Sequence, residues 1–419
     1  MSKFEGPLKV SSNGRYFIDS RSQPYFWLGD TAWPLFGQYS LEEAQKYFAN
    51  RARKGFSVIQ SVLAWGGGTG FEDRWPGANF EGNRPWLDGP RHPNEVYFLH
   101  VDRLFKIAEE QNLVLAALPT WGYYVNDIHT FDEEAAYIYG VWLGQRYKHQ
   151  PNLVWVNGGD RIATGNESIY RALAHGLRDG DGGAHLISYH PCGWKSSAQY
   201  FHEDDWLDFN MIQTWTEWSK IYAAVLADTF LTPVKPVVLA EGAYENGPEY
   251  PQGPISPLIV RRQAWWAFMA GGYFTYGQNQ MWRMEPGWME TFDTPGAGQM
   301  AIFKHAAVSH PWWKRVPDQG LFASGISSER TLNTAVRSQD GEWAMIYLSS
   351  PCNVQLHLDK IVTRQVKVRW VNPQDGSEKE AGIFPTGNLL EGKTFPEGKK
   401  QWFSTPDFWE DALLVLDGL

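Results

Sequence analysis

The sequence predicts a (β/α)8 barrel followed by an antiparallel β-sandwich. Two observations carry that expectation. Eight short apolar runs recur between residues 25 and 276, each followed by an amphipathic helix. After Pro317 the rhythm changes to strands of alternating apolar and polar residues separated by polar, glycine-containing turns.

Residues 8–18, LKVSSNGRYFI, read as a hairpin, with Asn13-Gly14 supplying the positive φ of its turn. The eight runs are 25–30, 56–62, 113–118, 152–157, 185–189, 209–215, 236–241 and 272–276. Their near-continuous hydrophobicity is that of parallel strands covered on both faces. Ser40-Leu41-Glu42-Glu43 is a capping box opening a helix that Gly55 stops. Thr130-Phe131-Asp132-Glu133 is a second capping box, opening a helix to about His149, just before Pro151. Further helices fit 95–111, 168–179, 218–229, 257–270 and 297–309. A doubly wound sheet is the alternative, but it rarely needs eight such units, and no nucleotide fingerprint supports it. The barrel is expected over 1–318 and the sandwich over 319–419, with hairpin loops in 374–399.

The composition narrows the function. The chain has 22 Trp among 419 residues, more indole than core filling needs, which suggests a cleft lined with rings. Eighteen of them precede residue 318, and ten of those are expected after strand ends or in the loops there: Trp33, Trp65, Trp75, Trp86, Trp121, Trp194, Trp206, Trp215, Trp282 and Trp288. A net charge of −10 disfavours nucleic acid as a partner. No run of apolar residues is long enough to span a membrane. The first residues lack the apolar stretch of a signal peptide, so the chain is expected to be cytoplasmic, or secreted or periplasmic with its leader removed. Two cysteines, Cys192 and Cys352, exclude a disulfide framework. No metal or cofactor is expected, because the eleven histidines show no ligand spacing such as HExxH. Oligomeric state is not legible in the sequence.

In a (β/α)8 barrel the chemistry lies beyond the C-terminal ends of the strands. Those positions offer Asp30 and Trp33 after strand one, and Gln60 and Trp65 at strand two. Trp121 follows strand three, and Asn157-Gly158-Gly159-Asp160-Arg161 ends strand four. His190 follows strand five, Gln213 and Trp215 end strand six, and Glu241 ends strand seven, with Tyr244 and Glu245 beyond. Tyr276, Gln278 and Trp282 come at strand eight. Of these, Asp30, Trp33, Gln60, Trp65, Trp121, Asn157, His190, Gln213, Trp215, Tyr276 and Gln278 are the expected sugar-binding residues. Asp160 and Glu241 are the expected catalytic pair, because glycosidic cleavage needs one carboxylic acid to protonate the leaving oxygen and a second carboxylate as nucleophile or base. Either residue alone could instead cap a helix or pair with a nearby cation such as Arg161. His190 is equally readable as a structural histidine, and Asp30 as an anchor for Thr31.

The segments GRYFIDSRSQPYFWLGDTAWPLF, NGGDR and LAEGAYE resemble the apiosidase-like barrel family (domain of unknown function 4038, glycoside hydrolase family 140). The terminal sandwich is similar to the collagen-binding-type module of those proteins. The resemblance runs from about residue 7 to 417. It implies a retaining glycosidase that removes apiose from plant glycans, with Asp160 matching the acid/base and Glu241 the nucleophile. Related barrel glycosidases carry Asn-Glu after strand four, whereas here Asn157 stands three positions before an Asp. A glycosidase for another pentose, such as an arabinofuranoside, or a non-catalytic carbohydrate-binding protein, are the alternative readings. Two further motifs read as weak signals. Gly66-Gly67-Gly68-Thr69-Gly70 reads as an active-site loop rather than a phosphate cradle. Asp179-Gly180-Asp181-Gly182 lacks the distal glutamate of a calcium loop and reads as a surface turn.

Overall fold

The computed structural model describes residues 5–65, 76–387 and 399–419. The glycine-rich run 66–70, Trp75 and the stretch 388–398 lie outside them. Eight parallel strands form the barrel wall: β1 Leu28–Thr31, β2 Val58–Val62, β3 Val114–Leu118, β4 Leu153–Gly158, β5 Ile187–His190, β6 Asn210–Gln213, β7 Val237–Glu241 and β8 Tyr273–Tyr276. Each falls on its predicted apolar run to within three residues. The ladder runs β5-β4-β3-β2-β1-β8-β7-β6. Between β5 and β6 the wall is closed by Asp208 N–H to Ile187 O at 2.9 Å and Ser188 Oγ to Phe209 O at 2.6 Å.

Helices α1 Leu41–Arg53, α2 Glu95–Glu110, α3 Glu133–Tyr147, α4 Glu167–Asp181, α5 Ile221–Thr229, α6 Pro257–Met269 and α7 Pro295–Ala307 cover the wall. The regular alternation fails once. Between β5 and β6 the chain forms only a two-residue strand, Lys195–Ser196, antiparallel to β6, and a four-residue helix, Ala198–Phe201. This segment has no amphipathic run long enough for a full helix. The Asp179–Gly182 run is the end of α4, where Gly182 takes φ +72° and the Asp181 carboxylate accepts from Gly183 N–H and pairs with His185. Helices α3 and α4 pack through facing glycines: a Cβ on Gly140 would lie 2.5 Å from Leu173 O, and one on Gly176 would lie 2.3 Å from Tyr137 O.

Asp30 is the penultimate residue of β1 and does not line the cavity at the barrel mouth. It is fully buried against α1, where its Oδ2 pairs with Arg51 Nε and accepts from Tyr47 Oη at 2.6 Å, and its Oδ1 accepts from Thr31 N–H at 2.9 Å. The sugar-binding expectation for Asp30 is therefore corrected. A strand-end carboxylate that faces a buried arginine on its own following helix ties strand to helix.

Among the described residues, 315–387 and 399–419 form two antiparallel sheets, one of six strands and one of three. Five strands, Thr334–Ser338, Trp343–Leu348, Asn353–His357, Gln365–Val371 and Ala412–Gly418, fall on the alternating runs 331–338, 342–349, 354–358, 365–372 and 412–417 that the sequence predicts as strands. Arg315–Pro317, Phe322–Ser324, Glu378–Pro385 and Lys400–Ser404 were not anticipated. Glu378–Pro385 falls where loops were expected; it is an exposed edge strand that shows little apolar alternation. The central strand Trp343–Leu348 shows how the sandwich meets the barrel. Ala344, Ile346 and Leu348 pack into the core between the two sheets, while Trp343, Met345 and Tyr347 join the barrel core. The middle of the six-stranded sheet is thus covered on both faces, which explains the unbroken burial of Trp343–Leu348 and of residues 412–416.

Helix α6 makes the barrel side of this contact. Trp265 stacks on Tyr347 with ring centres 5.7 Å apart. Arg261, 1% exposed, meets Asp411, 0% exposed, through Nη2 at 2.8 Å and Nε at 3.0 Å. Its Nη1 donates to Gln299, and Tyr347 Oη donates to the same Asp411. Removing one partner of such a pair leaves an uncompensated buried charge, whereas an exposed partner matters little. Asp411→Ala is expected to lower stability by about 3–5 kcal/mol in urea denaturation, and Glu410→Ala, whose carboxylate is half exposed, by less than about 1 kcal/mol.

Candidate active site

The turn after β4 sets the site. Gly158, Gly159 and Asp160 have φ of +88°, +113° and +51°. A Cβ on Gly158 would lie 2.3 Å from His190 O, and one on Gly159 would lie 2.4 Å from the Trp121 ring. Only glycine fits at either place. Gly159 N–H donates to His190 O at 2.9 Å, pinning the turn to β5. The chain doubles back over the barrel mouth, and Asp160, an unusual non-glycine in the left-handed region, presents its carboxyl to the cavity. Its Oδ1 accepts from Gln213 Nε2 at 2.8 Å.

Glu241 is the last residue of β7 and is 6% exposed. A register shift in the β6–β7 ladder between Ile212 and Gln213 brings Gln213 opposite Glu241. His190 Nε2 lies 3.3 Å from Glu241 Oε2. Both atoms are buried, and neither makes a well-directed hydrogen bond. One ligand atom from each of Asp160, His190 and Glu241 lies within 4.8 Å of the other two. No other group of three metal-capable side chains comes together in this way among the described residues.

Burial shapes the protonation of this trio. Desolvation raises Asp160 to about 7, with the negative charge of Glu241 adding and His190, Gln213 and Arg161 opposing. Desolvation raises Glu241 to about 8, opposed by the Tyr244 hydroxyl and Gln213. His190 moves the other way, because burial disfavours its cation. Two carboxyls this close in a dry site cannot both ionise cheaply, so near neutrality the pair retains a proton.

Aromatic rings wall the site. Trp33 and Trp121 meet edge to face at 4.9 Å, and Trp65 and Trp121 at 5.3 Å. Trp33 also meets the His190 ring edge to face at 5.2 Å, and its indole N–H donates to Tyr244 Oη at 3.1 Å. Trp33, Trp65, Trp121 and Tyr244, with Trp215 and Trp282, line an open cavity of about 350 Å³ that reaches Asp160 and Glu241. Ligand pockets typically span about 300–1,000 Å³, so this one is small.

The structure therefore gathers Asp160, Glu241, His190, Gln213, Trp33, Trp65, Trp121 and Trp215 at one place. Besides Asp30, four expected contacts are not there. Asn157 points outward, its Nδ2 donating to Tyr170 O of α4 at 3.2 Å, because it occupies the outer face of β4. Gln60 is fully buried in β2, with Nε2 donating to Ala240 O at 3.3 Å; it braces β7 just below Glu241. Tyr276 donates to Glu245, whose carboxylate also accepts from Gly296 N–H at 2.9 Å and from Thr294. Gln278 caps the short helix Asn279–Trp282 through Met281 N–H at 2.7 Å. Trp86, Trp206 and Trp288 pack against other rings, and Trp194 lies 45% exposed with Lys220 above its ring, so these four indoles are not in the cavity wall.

Several lining residues were not singled out as binding residues: Tyr244, Tyr250, Trp282, Arg161, Glu249 and Arg283. Tyr244, Arg161 and Trp282 were visible as residues just past strand ends. Tyr250, Glu249 and Arg283 come from longer excursions with no local signal. Arg283 donates to Glu249 at 3.3 Å and sits over the Trp282 ring, which ties the loops after β7 and β8 together at the rim.

A sequence profile for "Apiosidase-like, catalytic domain" matches residues 11–314, and one for "Putative collagen-binding domain of a collagenase" matches residues 316–417. Among curated proteins, none has a sequence similar to this chain. A solved structure described as a glycoside hydrolase superposes with a TM-score of 0.88 at 26% identity, covering 99% of this chain and 97% of its own. A glycoside hydrolase family 5 protein from Bacteroides vulgatus gives a TM-score of 0.88 at 26% identity, covering 99% of this chain and 94% of its own. A second glycoside hydrolase structure from that organism, at 15% identity and a TM-score of 0.73, shares the fold; it covers 98% of this chain and 82% of its own. With the profile spanning most of the chain and full-length glycoside hydrolases sharing both parts, the protein belongs to the apiosidase-like family of glycoside hydrolases.

Proposed function

We propose that the protein removes a terminal sugar, apiose, from plant glycans or glycosides, with net retention of anomeric configuration. The observation that carries retention is the spacing of the two carboxylates. Carboxyl groups about 5–5.5 Å apart suit direct attack by one of them, whereas about 6.5–9.5 Å leaves room for a water between. One oxygen of Asp160 and one of Glu241 lie within 4.8 Å of each other, a closest approach that favours the shorter of these two separations.

In the first step Glu241 attacks the anomeric carbon and forms a glycosyl ester, while Asp160 gives its proton to the departing oxygen. In the second, Asp160 as carboxylate takes a proton from water. The water oxygen bonds to the anomeric carbon, and the bond to Glu241 breaks. The surroundings fit these roles. Asp160 stands at the open edge, where an aglycone leaves; both carboxyls titrate near neutrality as a pair, and the reaction uses the singly protonated form in which the shared proton sits on Asp160 and Glu241 is the anion. Glu241 lies deeper, on the end of a rigid strand, facing Tyr244 and Gln213, which steady its anion. The indoles exclude water and offer flat faces to a sugar ring. The small cavity suits a terminal sugar with its neighbour, and the apiosidase-like profile favours apiose.

Glu241→Gln is expected to abolish turnover of apiose-bearing glycosides while the circular dichroism and melting temperature stay at or above wild type; normal hydrolysis by that variant removes the assignment. Asp160→Asn is expected to lower kcat/KM by roughly 10²–10⁴-fold on substrates with poor leaving groups. Proton NMR of early product should show the substrate's anomeric configuration; inverted product rules out the two-step course. Both carboxyls titrate above their usual range. The kcat/KM profile should therefore be bell-shaped around neutrality, falling on the alkaline side as the shared proton is lost and on the acid side as both carboxyls protonate. An acid limb near pH 4 would contradict the burial-driven shift.

A further inference from the structure

The cavity holds a donor set that two-carboxylate hydrolysis does not account for. That chemistry needs Asp160 and Glu241; it does not need an imidazole against the second carboxylate. His190 Nδ1 lies 3.0 Å from the Pro191 carbonyl oxygen. A carbonyl only accepts, so Nδ1 carries the hydrogen and Nε2 of the neutral ring presents a lone pair. That lone pair faces Glu241 Oε2 at 3.3 Å, with His190 fully buried. Two lone pairs at this distance repel unless something positive lies with them. A proton is one such species, and a cation is the other.

Three features fit a cation. An imidazole whose Nδ1–H is held by a backbone carbonyl is the outer arrangement that orients ligating histidines. Ligand bonds of about 2.0–2.1 Å in a tetrahedron place neighbouring ligand atoms about 3.3–3.4 Å apart, which is the spacing of Nε2 and Oε2. Asp160 brings a third ligand atom within 4.8 Å of both, and the two carboxylates line the open cavity, which gives a cation its way in.

We propose that Asp160, His190 and Glu241 form a site for a divalent transition cation of the zinc class, which excludes substrate while bound. The proposal rests on the hydrolase reading of the same pocket. One imidazole and two carboxylates suit zinc and its neighbours; magnesium and calcium demand about six or more oxygens, which this apolar wall does not offer. The bound cation occupies both the proposed acid and the proposed nucleophile, so it acts as a reversible inhibitor and not as a cofactor. No covalent bond in the chain changes; the cation displaces the proton that the carboxyl pair shares.

The test is calorimetric titration of the full chain with zinc chloride and with magnesium chloride, for wild type, His190→Phe and Glu241→Gln. Phenylalanine keeps a ring against Trp33, and Glu241→Gln provides an arm should the histidine variant not fold. We expect one tight equivalent of zinc, at least 10–100-fold weaker in each variant, with no comparable magnesium binding. Exposed pairs such as His92 with Asp88 contribute weak binding that both variants retain. Zinc should inhibit competitively with the glycoside, and chelation should restore the rate. Equal zinc binding by wild type and both variants overturns the proposal, as does inhibition that substrate cannot relieve. Tight, variant-sensitive zinc binding by a metal-free enzyme that cleaves no glycoside would leave the site standing and remove the hydrolase reading instead.

Discussion

Two carboxyl groups share one dry pocket, and the rest of the site follows from holding them there. Each has lost water, and each raises the cost of ionising the other. Only a rigid frame can keep such a pair together. Here the frame is a parallel barrel whose strand ends converge, with one carboxylate delivered by a strand and the other by a turn. Gln213 answers Asp160 directly, Tyr244 faces Glu241, and the indoles keep the space apolar. Each surrounding group either steadies a charge or excludes water.

The turn Gly158-Gly159-Asp160 shows how local chemistry reaches function. Its two glycines have no room for a Cβ, because His190 O and the Trp121 ring already fill that space. The same contacts seat the turn on β5 and on an aromatic wall of the pocket. A side chain at either glycine would lift Asp160 away from Glu241. Backbone conformation, aromatic lining and carboxylate spacing are therefore one constraint.

The sandwich belongs to the same frame. Its larger sheet gives one face to its own core and the other to the barrel, and Arg261 is locked between Asp411 and Gln299 at that seam. Helix α6, which carries Arg261 and Trp265, directly follows the loop holding Tyr244 and Tyr250. The seam therefore fixes the helix at which the loop carrying Tyr244 and Tyr250 ends.

The sequence by itself determined the architecture and placed Asp160 and Glu241 past the ends of two barrel strands. Apolar runs of strand length, capping boxes and the rule that barrel chemistry lies past the strands' C-terminal ends depend on local pattern, and local pattern is written along the chain. It also marked Trp33, Trp65, Trp121 and Trp215 as cleft residues. What it could not determine was the direction of each side chain at a strand end. Asn157, Gln60, Tyr276 and Gln278 stand beside the site in sequence, yet they hold α4, β7, Glu245 and a short helix. Asp30 has the same kind of strand-end address as Glu241 but faces Arg51. A one-residue change in register moves a side chain to the opposite face of its strand, and the partner waiting there is set by a distant part of the chain. Only tertiary structure brings Tyr250 and Arg283 from remote loops into the wall, and only it brings His190 to 3.3 Å from Glu241, because those meetings depend on how the barrel closes.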